Sequence, residues 1–159
     1  MSDVAALHEH LRLTGATVAV AESLTGGLLA AALSEPAGAS TVLRGGLVVY
    51  ATDLKASLAG VDADLLATRG AVDAEVARQL AHGVRARLGA TFGIGVTGVA
   101  GPDPQDGQPV GVVFAGIAGP DRDLVHELRF DGDRGQIRAA AVVACLDLLA
   151  GECGMPAWP

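Results

Sequence analysis

The chain has 159 residues, half of them hydrophobic and 18% charged, with a formal net charge of -7. That length and apolar content suit one globular domain with a sizeable core, and the acidic balance argues against a nucleic-acid or membrane-surface binder, because phosphate-rich partners require a basic stripe. Any anionic ligand must be held by a local site. No apolar run is long enough to span a bilayer, no signal peptide precedes Val4, and Cys145 and Cys153 show no ligand-like pairing, so a cytoplasmic protein is expected. His8, His10, His82 and His126 are scattered, which gives no metal site.

Val4 to Leu13 carries Val4, Leu7 and Leu11 at helical spacing, with Gly15 able to end the helix. Thr17 to Ala21 reads as a buried strand, Leu28 to Leu33 as a helix, and Glu22, Ser23 and Thr25 fall between them with Gly26 and Gly27 at the join. In an open α/β sheet the carboxyl end of a strand is where ligands bind, and the following helix start suits an anion; an ordinary capped turn accounts for the same residues equally well. A turn-rich Glu35 to Ser40 loop leads to a strand at Leu47 to Tyr50, so Ser40 precedes that strand and Tyr50 ends it. Asp53 can cap a short helix holding Lys55, and Asp62 another that stops near Gly70.

From Asp73 onward Val76, Leu80, Val84 and Leu88 recur at four-residue steps, the clearest helix in the chain. Thr91 to Val96 is a strand, and Thr97 to Pro104 a breaker-rich loop running to Gly111. Gly93-x-Gly95-x-x-Gly98 matches the letters of a dinucleotide fingerprint, but its first glycines lie inside the strand and Pro102 stands where a helix should open, so a Rossmann site is rejected. Val110 to Ile117 and Leu124 to Phe130 form a hairpin around a Gly-Pro-Asp turn, and a last helix runs from about Gly135 to Ala150, followed by a loose tail from about residue 151. The order predicts a single α/β domain: a mixed, mostly parallel sheet flanked by helices in three layers. The chemistry-bearing residues left over are Ser23, Ser40, Tyr50 and Lys55. Taken alone, they favour Lys55 as a solvated surface charge and Tyr50 as a core residue.

The segments Ala21-Glu22-Ser23-Leu24-Thr25-Gly26-Gly27, Ala37-Gly38-Ala39-Ser40, Arg44-Gly45-Gly46-Leu47-Val48-Val49-Tyr50 and Thr97-Gly98-Val99-Ala100-Gly101-Pro102 together resemble the CinA C-terminal-domain family. The resemblance covers nearly the whole chain, into the Phe130 to Arg134 segment and the last helix. It implies a homodimeric amidohydrolase of pyridine-nucleotide salvage that converts nicotinamide mononucleotide and water to nicotinate mononucleotide and ammonia with no cofactor. By motif position it makes Ser40 the nucleophile and Lys55 its base, with Tyr50 and Ser23 in support. Glu22, Thr25, Gly26, Gly27, Thr97, Gly98 and Gly101 would then line the substrate, while Arg134 and Arg138 are candidates for its phosphate. Leu24, Thr52-Asp53-Leu54 and the Asp-Pro-Gln-Asp-Gly loop depart from the common family pattern and bear on substrate preference. A non-catalytic nucleotide-binding or regulatory module is the alternative.

Overall fold

The computed structural model describes residues 3–155. A five-stranded sheet runs β2-β1-β3-β4-β5, with β1 at Val18–Glu22, β2 at Leu43–Val48, β3 at Phe92–Gly98, β4 at Val112–Ala118 and β5 at Asp123–Arg129. β1 is parallel to both β2 and β3, whereas β4 is antiparallel to β3 and β5, so the sheet is mixed, with only β4 reversed. The β4–β5 hairpin closes through the Gly119 N–H on the Arg122 carbonyl, as its Gly-Pro-Asp turn predicts.

Alternation along β1 shows how the layers are built. Val18 and Val20 pack with α1 (Val4–Thr14), α2 (Leu28–Ser34) and α6 (Arg134–Glu152), while Ala19 and Ala21 face α4 (Ala63–Arg69) and α5 (Ala74–Leu88). All five β1 residues are therefore buried, as a strand covered on both faces requires. The short α3 (Thr52–Ser57) lies between β2 and α4 in the chain. Asp3, Asp62, Asp73 and Asp133 cap α1, α4, α5 and α6 through their carboxylates, with Gln136 completing a capping box at α6. Asp53 does not cap α3; it sits in the first turn, behind Ala51.

β2 begins four residues earlier than its apolar pattern predicts, because Gly45 and Gly46 lie inside the strand. A Cβ on Gly46 would meet Val20 Cγ2 at 2.8 Å and Ala30 Cβ at 3.3 Å, so the glycine lets α2 close onto β1 and β2. On the opposite face, Cβ atoms at Gly93, Gly95 and Gly116 would run into backbone atoms of Ala77 and Ala81, so α5 lies directly on β3 and β4. The glycines of the rejected dinucleotide pattern serve this packing. The last helix continues through Glu152, and Cys153 and Met155 pack on the core, so the expected loose tail is ordered as far as Met155; residues 156–159 lie outside the described residues. Among the described residues no helix is long and apolar enough to cross a membrane.

Candidate active site at the carboxyl end of the first strand

Glu22 ends β1 fully buried, and its two oxygens accept from the Leu29 and Ala30 N–H groups at 2.8 and 3.1 Å. Gly27 brings no side chain to cap α2, so a carboxylate from the strand satisfies those helix donors instead. Glu22 is thus a structural anchor rather than the substrate contact expected from its motif. Between anchor and helix, Gly26 and Gly27 take φ of 58° and 104°, which suits glycine, and Gly26 and Leu28 donate to the Ser23 and Thr25 carbonyls. Arg138 holds the turn from outside, its Nε on the Leu24 carbonyl at 2.9 Å and Nη2 on the Thr25 carbonyl at 3.2 Å. Its guanidinium is engaged with backbone, and so is the Gly26 amide.

Ser23 follows Glu22, donates its N–H to the Val96 carbonyl and is 9% exposed. Its hydroxyl has no hydrogen-bond partner among the described residues, and Thr25 Oγ1, fully buried, has none either. Beside this strand end the chain leaves β2: the Val49 N–H donates to the Glu22 carbonyl, and the carbonyls of Val49 and Tyr50 accept from Lys55 Nζ at 2.8 and 3.2 Å. Lys55 is 1% exposed, so the surface reading of this side chain is reversed. Tyr50, 55% exposed, is reversed the other way.

Burial pulls the Lys55 pKa down from 10.5 to about 8, with the Asp106 carboxylate partly opposing the shift. A neutral amine has two N–H donors and one lone pair. If the two carbonyls take the donors, the lone pair is left to accept a proton. The sequence carried a signal for this residue that spacing does not reveal: Lys55 is the chain's only lysine, against ten arginines. Arginine stays protonated, so among the chain's lysines and arginines Lys55 alone can release and take back a proton.

Tyr50 Oη accepts from Arg134 Nη2 at 2.7 Å while Arg134 Nη1 donates to the Gly101 carbonyl at 2.7 Å, so this exposed arginine bridges the end of β2 and the loop after β3. Thr97 is buried and spends its hydroxyl on the Ala71 carbonyl at 2.8 Å. Gly98 pairs with Val113 inside the sheet, where a Cβ would strike Val112 and Val113, and Gly101 takes φ 86°. Ser23, Thr25, Gly26, Gly27, Tyr50, Lys55, Thr97, Gly101 and Arg134 therefore gather around one end of the sheet.

Ser40 does not join them. It is exposed on a single 3₁₀ turn, Ala39–Thr41, ahead of β2, where the Val18 N–H donates to the Val42 carbonyl at the start of β1. Six residues of strand at roughly 3.3 Å each put about 20 Å between the two ends of β2. Within one chain the expected Ser40–Lys55 pair cannot form, because Ser40 enters β2 at the end opposite Lys55. Cys145 offers no alternative nucleophile, since burial pushes its thiol up to about 12. Among the described residues no three His, Cys, Asp or Glu side chains come together as a metal site would require.

The family model described as the CinA C-terminal domain matches residues 2–153. A CinA-like protein from Frankia casuarinae is 56% identical over 134 residues, 84% of this chain and 31% of that protein. A putative competence-damage inducible protein from Bacillus subtilis is 45% identical over 124 residues, 78% of this chain and 30% of its own length. The chain thus spans about a third of the curated relatives it matches. Among solved structures, the competence/damage inducible protein CihA from Agrobacterium tumefaciens aligns with a TM-score of 0.87 at 39% identity, covering 95% of this chain and 96% of that one. A competence-damaged protein (CinA) superfamily member from Klebsiella pneumoniae aligns at 0.91 and 29%, covering 94% of both. Family match, sequence relatives and structural neighbours agree: the chain belongs to the CinA C-terminal-domain family.

Proposed function

We propose that the chain is a serine amidohydrolase that deamidates nicotinamide mononucleotide to nicotinate mononucleotide, with Lys55 as the base and Ser23, rather than Ser40, as the nucleophile. The observation that carries this reading is the buried Lys55 amine, held on two carbonyls beside the strand end where the Ser23 hydroxyl has no partner among the described residues. Ser23 Oγ attacks the carboxamide carbon as its proton moves to Lys55 Nζ, and the carbonyl oxygen becomes the oxyanion of a tetrahedral intermediate. The N–H groups of Gly26, Leu28, Leu29 and Ala30 are already engaged, so those of Leu24, Thr25 and Gly27 are the oxyanion donors this turn can supply. Protonated Lys55 returns the proton to the leaving nitrogen and ammonia departs. It then takes a proton from water, whose oxygen attacks the acyl-serine; carboxylate and free serine result.

Arg134 can exchange its Tyr50 partner for the nucleotide phosphate, while Arg138 keeps the nucleophile's turn in place. The protein works as a cytoplasmic homodimer, the assembly being readable by light scattering. The deciding experiment incubates the protein, Ser23→Ala and Ser40→Ala with nicotinamide mononucleotide and measures ammonia and product by chromatography. Ser23→Ala should lose turnover while Ser40→Ala keeps most of it. If only Ser40→Ala is dead, the assignment reverses. An equimolar mixture of Ser40→Ala with Lys55→Ala that recovers activity would place Ser40 in a site shared between copies. Absence of ammonia from the unaltered protein at high concentration would favour a non-catalytic binding module.

A further inference from the structure

Asp106 lies at the tip of the loop between Gly101 and Gly111 and plays no part in the reaction as written above. The Gln105 and Gln108 backbones exchange hydrogen bonds of 3.1 and 2.8 Å, which makes the tip a two-residue turn with Asp106 and Gly107 at φ 52° and 74°. Positive φ is unfavourable for most residues with a Cβ and is tolerated by Asp and Asn more than others. In that turn the Asp106 side chain points back to the protein: its Oδ2 accepts from the Ala71 N–H at 2.8 Å. Gly70 makes room, since a Cβ there would lie 2.6 Å from Asp106 Cγ. The same Ala71 residue gives its carbonyl to the buried Thr97 hydroxyl, and its side chain packs in the cluster that contains Val49, whose carbonyl holds Lys55. The loop tip is thus tied to a residue of the same buried cluster that holds the amine's carbonyl partner.

We propose that Asp106 is a latch and a counter-charge for Lys55: docked on the Ala71 N–H, it holds the Gly101–Gly111 loop against the carboxyl ends of the strands and sets one negative charge near the buried amine. The kinetic consequence rests on the reading of Lys55 as a base; the latch and the charge do not. Of the other charged groups on elements around Lys55, several are tied to partners elsewhere, and the rest lie in first helical turns. Asp53 lies on the same helix; Asp62 caps α4, and Arg69 pairs with Asp73 at 2.7 Å. Asp64 lies in the first turn of α4, Glu22 serves α2, and Arg134 bridges Tyr50 and Gly101. Asp106 is the group whose field opposes the loss of the Lys55 proton. It also makes Asp106 a positioning residue for the reaction, because it tunes the base without touching substrate.

Because Lys55 is the only lysine, the protein grown with lysine labelled with ¹³C at the ε-carbon gives one side-chain resonance, which reports its ionisation with no assignment problem and no need for activity. Asp106→Asn keeps an oxygen that can accept from Ala71 and tolerates the turn, yet removes the charge. Its Lys55 titration midpoint should fall below that of the unaltered protein, with Ala71 amide exchange unchanged. Asp106→Ala removes latch and charge together, so the midpoint should fall and Ala71 exchange should rise up to about tenfold, as expected for one lost hydrogen bond. An unchanged midpoint in Asp106→Asn overturns the counter-charge, and unchanged Ala71 exchange in Asp106→Ala overturns the latch. Where the protein deamidates nucleotide, the rising, low-pH limb of its rate profile should move with the resonance. A moving resonance in a protein without turnover would leave Asp106's role standing and remove the amidohydrolase reading alone.

Discussion

Replacing Lys55 with methionine tests the state of the amine through stability rather than catalysis. Lysine in an unfolded chain keeps its ordinary pKa of 10.5, and burial lowers it to about 8 in the folded protein. The unfolded chain therefore binds more protons between those two values, and stability must rise with pH across that window. The penalty is fully present below pH 8, fades as the folded amine loses its proton, and is gone above pH 10.5. A shift of this size at a side chain 1% exposed corresponds to about 3 kcal/mol. Methionine fills similar volume without a charge but leaves the Val49 and Tyr50 carbonyls without their donor, a loss of about 1–3 kcal/mol that is the same at every pH. At pH 7 the two effects offset, and Lys55→Met should match the unaltered protein or exceed it slightly. At pH 10.5 it should be the weaker by about 1–3 kcal/mol. Urea unfolding of both proteins at pH 7, 8, 9 and 10.5 gives the difference directly, and subtraction removes the titration of every other group. A difference that stays constant from pH 7 to 10.5 means Lys55 ionises as it does in water, and the proton-accepting role falls with it.

Lys55→Arg keeps the charge and cannot lose a proton near neutral pH, so nucleotide binding measured by calorimetry should survive while turnover falls roughly a hundred- to ten-thousand-fold. Glu22→Gln leaves a carboxamide that can accept from only one of the Leu29 and Ala30 N–H groups and presents N–H to the other; a loss of about 2 kcal/mol in urea unfolding is expected, with turnover reduced because the Ser23 turn loosens. Gly95→Ala would press a Cβ onto Ala77 and Leu80 and should destabilise by at least about 1–3 kcal/mol in thermal melts.

Much of the architecture was legible because each signal was local. Asp73 followed by four-residue apolar steps gave α5, and alternating glycines with β-branched neighbours gave β3. β2 was misplaced because Gly45 and Gly46 look like breakers until the helix they admit is known. The site divided along the same line. Ser23, Tyr50, Lys55 and Thr97 fall at one end, since each follows or ends a parallel strand or its neighbour. Ser40 stands apart within one chain because a residue just before a strand and one just after it lie at opposite ends of the sheet, which proximity in the sequence conceals. The burial of Lys55 depends on which side of a six-residue helix faces inward, and no periodicity can be read from so short a segment.

The contact of α5 with Gly93, Gly95 and Gly116 has a consequence for how this domain can vary. An interface made of side chains can drift, one methyl group at a time, with a neighbour shrinking as its partner grows. Here main chain lies on main chain, and there is no side-chain volume to trade. The smallest step available to mutation, a single methyl, already exceeds the space. Variation in this half of the molecule must therefore go to the loops and outer faces, while the helix and strands beneath them keep one separation. The domain behaves as a fixed mount on which its rim can be rebuilt.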